Sequence, residues 1–184
     1  MSENFQKNHK KGVRMYRLLI LLFLITINLP AQTYNEIVID EKSEKPMLIG
    51  YTNRHAFSDT TFSWWFNSAY EDYEFDNETV AKIIPLITDI NILVVMGTWC
   101  SDSRREVPHF YKILDELKFP VDRLTIINVN RKKEADVKEL NGLNIELVPT
   151  FIFYKEEKEL GRIIETPEES LGSDLLKILS KGLL

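Results

Sequence analysis

The sequence predicts an α/β fold, a mixed central sheet covered on both faces by helices. Three observations carry that expectation. Short apolar runs alternate with helical patterns along most of the chain. One run, residues 92–96, is apolar without a break, as expected of a central strand buried on both faces. The chain then closes with two strands joined by a charged turn and one amphipathic helix, which gives the order β-α-α-β-α-β-α-β-β-α.

Residues 33–46 are polar, with one apolar alternation at 37–39 that reads as an edge strand in a mobile lead-in. Residues 47–52 form the first true strand, bounded by Pro46 and by Asn53-Arg54. The next stretch is dense in aromatics. Asp59, Thr60 or Thr61 caps a helix there, with Phe62, Trp65, Phe66 and Tyr70 on one face. That face is either packing for the domain or an apolar wall for a ligand beside the site. A second helix starts at Asp76 or Asn77 and carries Val80, Ile83, Ile84 and Ile87, with Pro85 shortening or kinking it. The helix after residue 100 buries Val107, Phe110, Ile113, Leu114 and Leu117 and ends before Pro120. A strand at 124–130 follows, then a short charged helix at 134–140 stopped by Asn141-Gly142. Strands at 151–154 and 160–164 and a helix at 168–179 complete the chain.

A chain of 184 residues with 44% apolar content suffices for one domain and its extensions. Lys7, Lys10, Lys11, Arg14 and Arg17 precede the uncharged stretch 18–30, and Ala31-Gln32 follows. Basic region, short apolar run and small residue describe a secretory signal peptide over residues 1–31, hence export to a periplasmic or extracellular space. The run is too short for a comfortable bilayer span, so no stable membrane span is expected after cleavage. The domains read as signal 1–31, lead-in 32–46 and a folded domain 47–184 with an aromatic helical insert at about 57–76. With Glu3 and the five basic residues removed, 23 basic and 28 acidic residues become 18 and 27, a net charge of −9. That balance excludes nucleic acid and anionic membrane surfaces as partners.

The chain holds one cysteine, in Trp99-Cys100-Ser101-Asp102-Ser103, where the strand at 92–96 hands over through Gly97-Thr98 to a helix. Unpaired N–H groups and the positive end of the helix dipole converge at that position, and both favour thiolate over thiol. One cysteine forms no internal disulfide, so an exported chain keeps it free, pairs it with another molecule, or buries it inert.

With its element order, this turn resembles the thioredoxin fold over residues 47–184, a three-layer sandwich with helices on both faces of the sheet. Trp99-Cys100 between strand and helix is one match. Pro108, eight residues after the cysteine, matches the proline that kinks the family's active-site helix. Val148-Pro149, 49 residues after the cysteine and just before a strand, matches the family's cis-proline. The resemblance implies Cys100 and Ser103 as catalytic residues and Trp99, Val148 and Pro149 as substrate-binding residues.

The sequence departs from the family at the chemistry. Ser103 stands where the resolving thiol belongs, and Val94 where the buried acid does. Cys100 can therefore form a mixed disulfide but cannot resolve it unaided. The resemblance implies a monothiol oxidoreductase or isomerase acting on protein thiols or disulfides, with an external thiol as reductant. Ser103 is then either a hydrogen-bond donor to the Cys100 thiolate or a plain first-turn polar residue. The alternative function is a redox-inactive binding module using the aromatic segment, and a third is a thiol oxidised by peroxide and regenerated by small thiols. His109 lies on the opposite helix face and His55 in a loop. One cysteine and scattered histidines make no metal site, and no cofactor is implied. Oligomeric state, including a Cys100–Cys100 dimer, stays open.

Overall fold

The structure is a computed structural model that describes residues 33–182. The expected signal peptide lies outside the described residues. Ten regular elements follow in order: β1 (Glu36–Ile39), β2 (Pro46–Thr52), α1 (Thr60–Asp72), α2 (Asn77–Ile83), β3 (Ile90–Met96), α3 (Ser101–Glu116), β4 (Leu124–Asn128), β5 (Thr150–Lys155), β6 (Lys158–Ile164) and α4 (Leu171–Lys181). The fold is α/β, with a mixed six-stranded sheet in the order β1-β2-β4-β3-β5-β6. Only β3 and β4 run parallel, joined by α3 as the crossover a parallel pair requires. Among the described residues no helix is long and apolar enough to cross a membrane.

Local chemistry sets the helix ends. Asp59 caps α1 by accepting from the Thr61 N–H at 2.8 Å. Asp76 caps α2 by accepting from Glu78 and Thr79, which accounts for Asn77-Glu78-Thr79 as a helix start. α2 stops at Ile83, just short of Pro85, so the proline shortens it. The exposed edge strand β1 pairs antiparallel with β2.

Alternation along the central strands divides the core in two. Ile90, Ile92, Val94 and Met96 of β3, with Phe151 and Phe153 of β5, face one way and meet buried residues of all four α-helices. The aromatic segment belongs to that core. Phe62, Trp65 and Phe66 are buried, and Phe57 stacks on Phe66 at 4.6 Å. Leu93, Val95, Ile127 and Ile152 face the other way. They are covered by the β4–β5 connection through Val137, Val148 and the half-buried Ala135, Leu140, Leu143 and Ile145.

The helix expected at 134–140 is not formed. The Asn130 side-chain oxygen accepts from the N–H groups of Lys132 (2.8 Å) and Glu134 (3.0 Å), and the Asn130 N–H donates to the Glu134 carbonyl at 3.0 Å. Lys133 takes a left-handed φ of 66° inside this closed turn. A side-chain oxygen that consumes early N–H groups competes with helix formation. Ala135 and Val137 then meet the sheet at a two-residue spacing that suits extended chain, and a single 3-10 turn remains at Lys138–Leu140. Both faces are covered, but by unlike material.

Candidate functional site

The site forms at the end of β3, where the helix layer and the loop layer meet. The Cys100 N–H donates to the Gly97 carbonyl at 2.9 Å, closing the turn. Cys100 is the N-cap of α3, with extended backbone (φ −92°, ψ 131°), and its side chain makes no cap hydrogen bond. The thiol bonds across to the proline loop instead. It is half-buried and donates to the Val148 carbonyl at 3.2 Å, with Asp102 Oδ2 at 3.9 Å. The peptide bond between Val148 and Pro149 is cis. That loop is pinned on both sides: Thr150 Oγ1 donates to the Leu147 carbonyl and the Glu165 N–H to the Pro149 carbonyl, each at 2.7 Å. The structure thus brings Cys100, Val148 and Pro149 together.

Ser103 is placed differently from the thiolate donor expected of it. It is fully buried, and its Oγ accepts from the Gly97 N–H at 3.2 Å. No hydrogen bond links it to Cys100. Ser103 holds the turn that presents the cysteine instead of touching its sulfur. Val94 is buried in the helix-side core, so no acid lies beneath the thiol at that position.

Trp99 is fixed from several directions. Its indole lies over Gly97 so closely that a Cβ there would stand 2.5 Å from Nε1. Glycine is required by this close approach. The Trp99 Nε1–H donates to the Val129 carbonyl at 2.8 Å, and the Arg131 guanidinium lies 4.9 Å from the ring centroid. Arg131 is in turn gripped by Asp40. Its Nε and Nη2 donate to the two carboxylate oxygens at 2.8–3.0 Å. The Arg131 hydrogen bonds hold the buried Asp40 carboxyl well below the usual carboxylate range, with Ser43 adding to the effect. The Arg104 Nε donates to the Thr98 carbonyl at 2.5 Å, and Thr98 Oγ1 accepts from the Leu48 N–H at 3.0 Å. The turn is thereby tied to β2.

Arg131, Asp40 and Val129 are the residues that sequence reasoning missed. Asp40 and Arg131 are 91 positions apart, and no local spacing announces the pair. The two histidines among the described residues make no hydrogen bond to the sulfur. His109 stacks on Tyr73 at 4.2 Å with Nδ1 3.8 Å from Glu106, and His55 is exposed in the turn before α1. Chemically, the site offers one half-buried thiol beside a carbonyl acceptor and no second thiol to resolve an adduct.

Comparison with known proteins agrees with this architecture. Residues 59–172, more than half of the chain, match the family model described as Thioredoxin. Among solved structures, the fold is similar to that of a protein of unknown function from Pseudomonas aeruginosa, determined at 1.5 Å. The two are 17% identical with a TM-score of 0.50, and the match covers 73% of this chain and 93% of that one. An HIV epitope scaffold aligns at 17% identity and a TM-score of 0.48, covering 73% of this chain and 85% of its own. The family match extends from the cap of α1 into α4 and takes in both the cysteine turn and the proline loop: the chain belongs to the thioredoxin family.

Proposed function

We propose that this protein carries out monothiol thiol–disulfide exchange through Cys100 after export from the cytoplasm. The observation that carries the reading is the placement of the half-buried Cys100 sulfur at the N-cap of α3, 3.2 Å from the Val148 carbonyl beside Pro149. The thiolate attacks one sulfur of a partner disulfide, that S–S bond breaks, and the departing sulfur takes a proton from solvent. A mixed disulfide on Cys100 results. Release comes from an external thiol or from the partner's own second cysteine, because the chain has no other sulfhydryl. Isomerisation suits this economy, since it transfers no net electrons. The basic, apolar and small-residue pattern of residues 1–31 supports export.

The binding-module alternative rested on the aromatic segment. Phe62, Trp65 and Phe66 are committed to the core, and Trp64, 66% exposed, is the large ring left outside. That leaves the module little surface and favours the thiol reading.

Reaction of the folded protein with a small symmetric disulfide tests the proposal, with the adduct read by mass. One adduct at Cys100, formed without denaturant and released by added thiol, is the expected result. A sulfur that reacts only after unfolding, or a Cys100→Ala protein that retains every cellular phenotype, would overturn it.

A further inference from the structure

Two arginines flank the cysteine turn in a chain whose overall charge is −5. Arg104 is half-buried, its Nε bonded to the Thr98 carbonyl and its Cζ 5.9 Å from the Trp65 ring centroid. Among the described residues no carboxylate pairs with it. Arg131 lies over Trp99, the residue next to Cys100, and Asp40 engages only its Nε and Nη2. Its Nη1 has no partner among the described residues. Asp40 is 3% exposed, so the pair presents its cationic half to solvent. Asp102, whose Oδ2 stands 3.9 Å from the sulfur, is tied through Oδ1 to Arg105 at 2.9 Å. Partial desolvation holds Arg104 below the ordinary arginine value; the Cys100 sulfur opposes this, and the like charge of Arg131 adds a smaller lowering. The same sulfur also supports the charge of Arg131. Arg104 thus borders the cysteine turn through Thr98 and Arg131 borders it through Trp99, and two guanidiniums at one turn attract an anion.

We propose that Arg104 and Arg131 form a carboxylate-recognition site beside Cys100. The site selects disulfides that carry a carboxylate within a few bonds of the attacked sulfur. This deepens the exchange chemistry proposed above and rests on it. Guanidiniums with free N–H edges suit carboxylate oxygens in direction as well as charge. The step is balanced. The Cys100 thiolate bonds to the sulfur nearer the carboxylate, the partner S–S bond breaks, and the other half leaves as a thiolate that takes a proton from solvent. A small acidic disulfide and a peptide with aspartate beside its cystine share this chemistry.

The test measures exchange rates of the full chain with dithiodipropionate (anionic), bis(hydroxyethyl) disulfide (neutral) and cystamine (cationic). Each rate is divided by that of the same reagent with a free small thiol, which removes leaving-group differences. The normalised rates should fall in the order anionic, neutral, cationic, with roughly tenfold between the first two at low salt. Raising salt to about 1 M should collapse the order without any substitution, because exposed charges are then screened. Arg104→Gln should narrow the anionic-to-neutral ratio severalfold, the ratio and not the absolute rate being the readout. Arg131→Gln also uncovers Asp40, so the salt series stands in for it if that variant fails to fold. Two cystine peptides, one flanked by aspartate and one by lysine, separate the sources of the carboxylate. A preference in the small reagents assigns a free acid, and a preference confined to the peptides assigns an acidic segment. Equal normalised rates for all reagents, or a cationic preference, overturn the carboxylate site and leave the exchange reading standing. No reaction with any reagent in the folded state overturns both.

Discussion

The two faces of the sheet are built by different rules. On one, α1, α3 and α4 place Phe62, Trp65, Val107, Phe110, Ile113 and Leu175 against Phe151 and Phe153. Its residues are buried nearly to completion, and its order is recorded in periodic sequence. On the other, a connection with one 3-10 turn lays Val137 and Val148 over Leu93, Val95 and Ile152. Its flanking contacts are only partly buried. Yet that irregular face supplies the site: Val129 receives the Trp99 indole, Arg131 lies over its ring, and Val148 accepts from Cys100. The helical face fixes where α3 begins, and the loop face decides what surrounds the sulfur there. Stability and chemistry are divided between the two sides of one strand, β3.

The largest test of that division falls on the helical face. Phe110 is 1% exposed and packs on Phe151 at 4.7 Å and Phe153 at 6.1 Å. Phe110→Ala should cost about 4 kcal/mol, read as a drop in the denaturation midpoint at constant slope. Val137→Ala on the loop face removes two methyl groups from a looser site and should cost about 1 kcal/mol. The comparison is sharpened if the exchange rate at Cys100 moves more with Val137→Ala than with a helix-face substitution of equal cost. It breaks if both variants change the rate only in proportion to lost stability.

Asp40 offers an intermediate effect with a pH signature. Arg131 holds its carboxyl below an ordinary value of about 3.9, so the unfolded chain binds the proton more readily than the folded one. The stability gained is full above that ordinary value and drains as pH falls through it toward the depressed folded value. Asp40→Asn should cost about 2 kcal/mol at neutral pH, since it leaves the half-exposed Arg131 without its carboxylate. The same variant should flatten the loss of stability seen in wild type below about pH 4. An unchanged acid limb would show that the pair lends nothing to the folded state. Because Arg131 also lies over Trp99, indole fluorescence should shift in the variant.

How far the sequence could anticipate these features depends on the range of the interaction. β3 was legible because a strand buried on both faces needs an unbroken apolar run, and residues 92–96 are one. The caps Asp59 and Asp76 were legible because they act within three residues. The cysteine turn and the cis bond before Pro149 were legible through the resemblance, which fixes position but not contacts. Residues 134–140 misled, because a charged run with Leu140 at its end fits an exposed helix by composition. The deciding group, the Asn130 oxygen, lies outside that window. Asp40 and Arg131 were invisible for a plainer reason: nothing within a few residues of either names its partner.

Ser103 gives the smallest expected effect and the finest discrimination. Its Oγ accepts from the Gly97 N–H at 3.2 Å in a fully buried position, and Gly97 is also the surface on which the Trp99 indole lies. Ser103→Ala leaves that N–H buried without a partner, which costs about 1 kcal/mol. If Ser103 acts only by holding the turn, the variant loses that stability while its exchange rate with a neutral disulfide changes less than about threefold. Ser103→Thr, which keeps the acceptor, should then recover most of the stability that its extra methyl does not cost. A hydroxyl that instead turned toward the sulfur during reaction would lose rate in the alanine variant well beyond its loss of stability. Comparing denaturation midpoint with exchange rate across the two variants therefore separates a residue that supports the cysteine turn from one that touches the reacting atom.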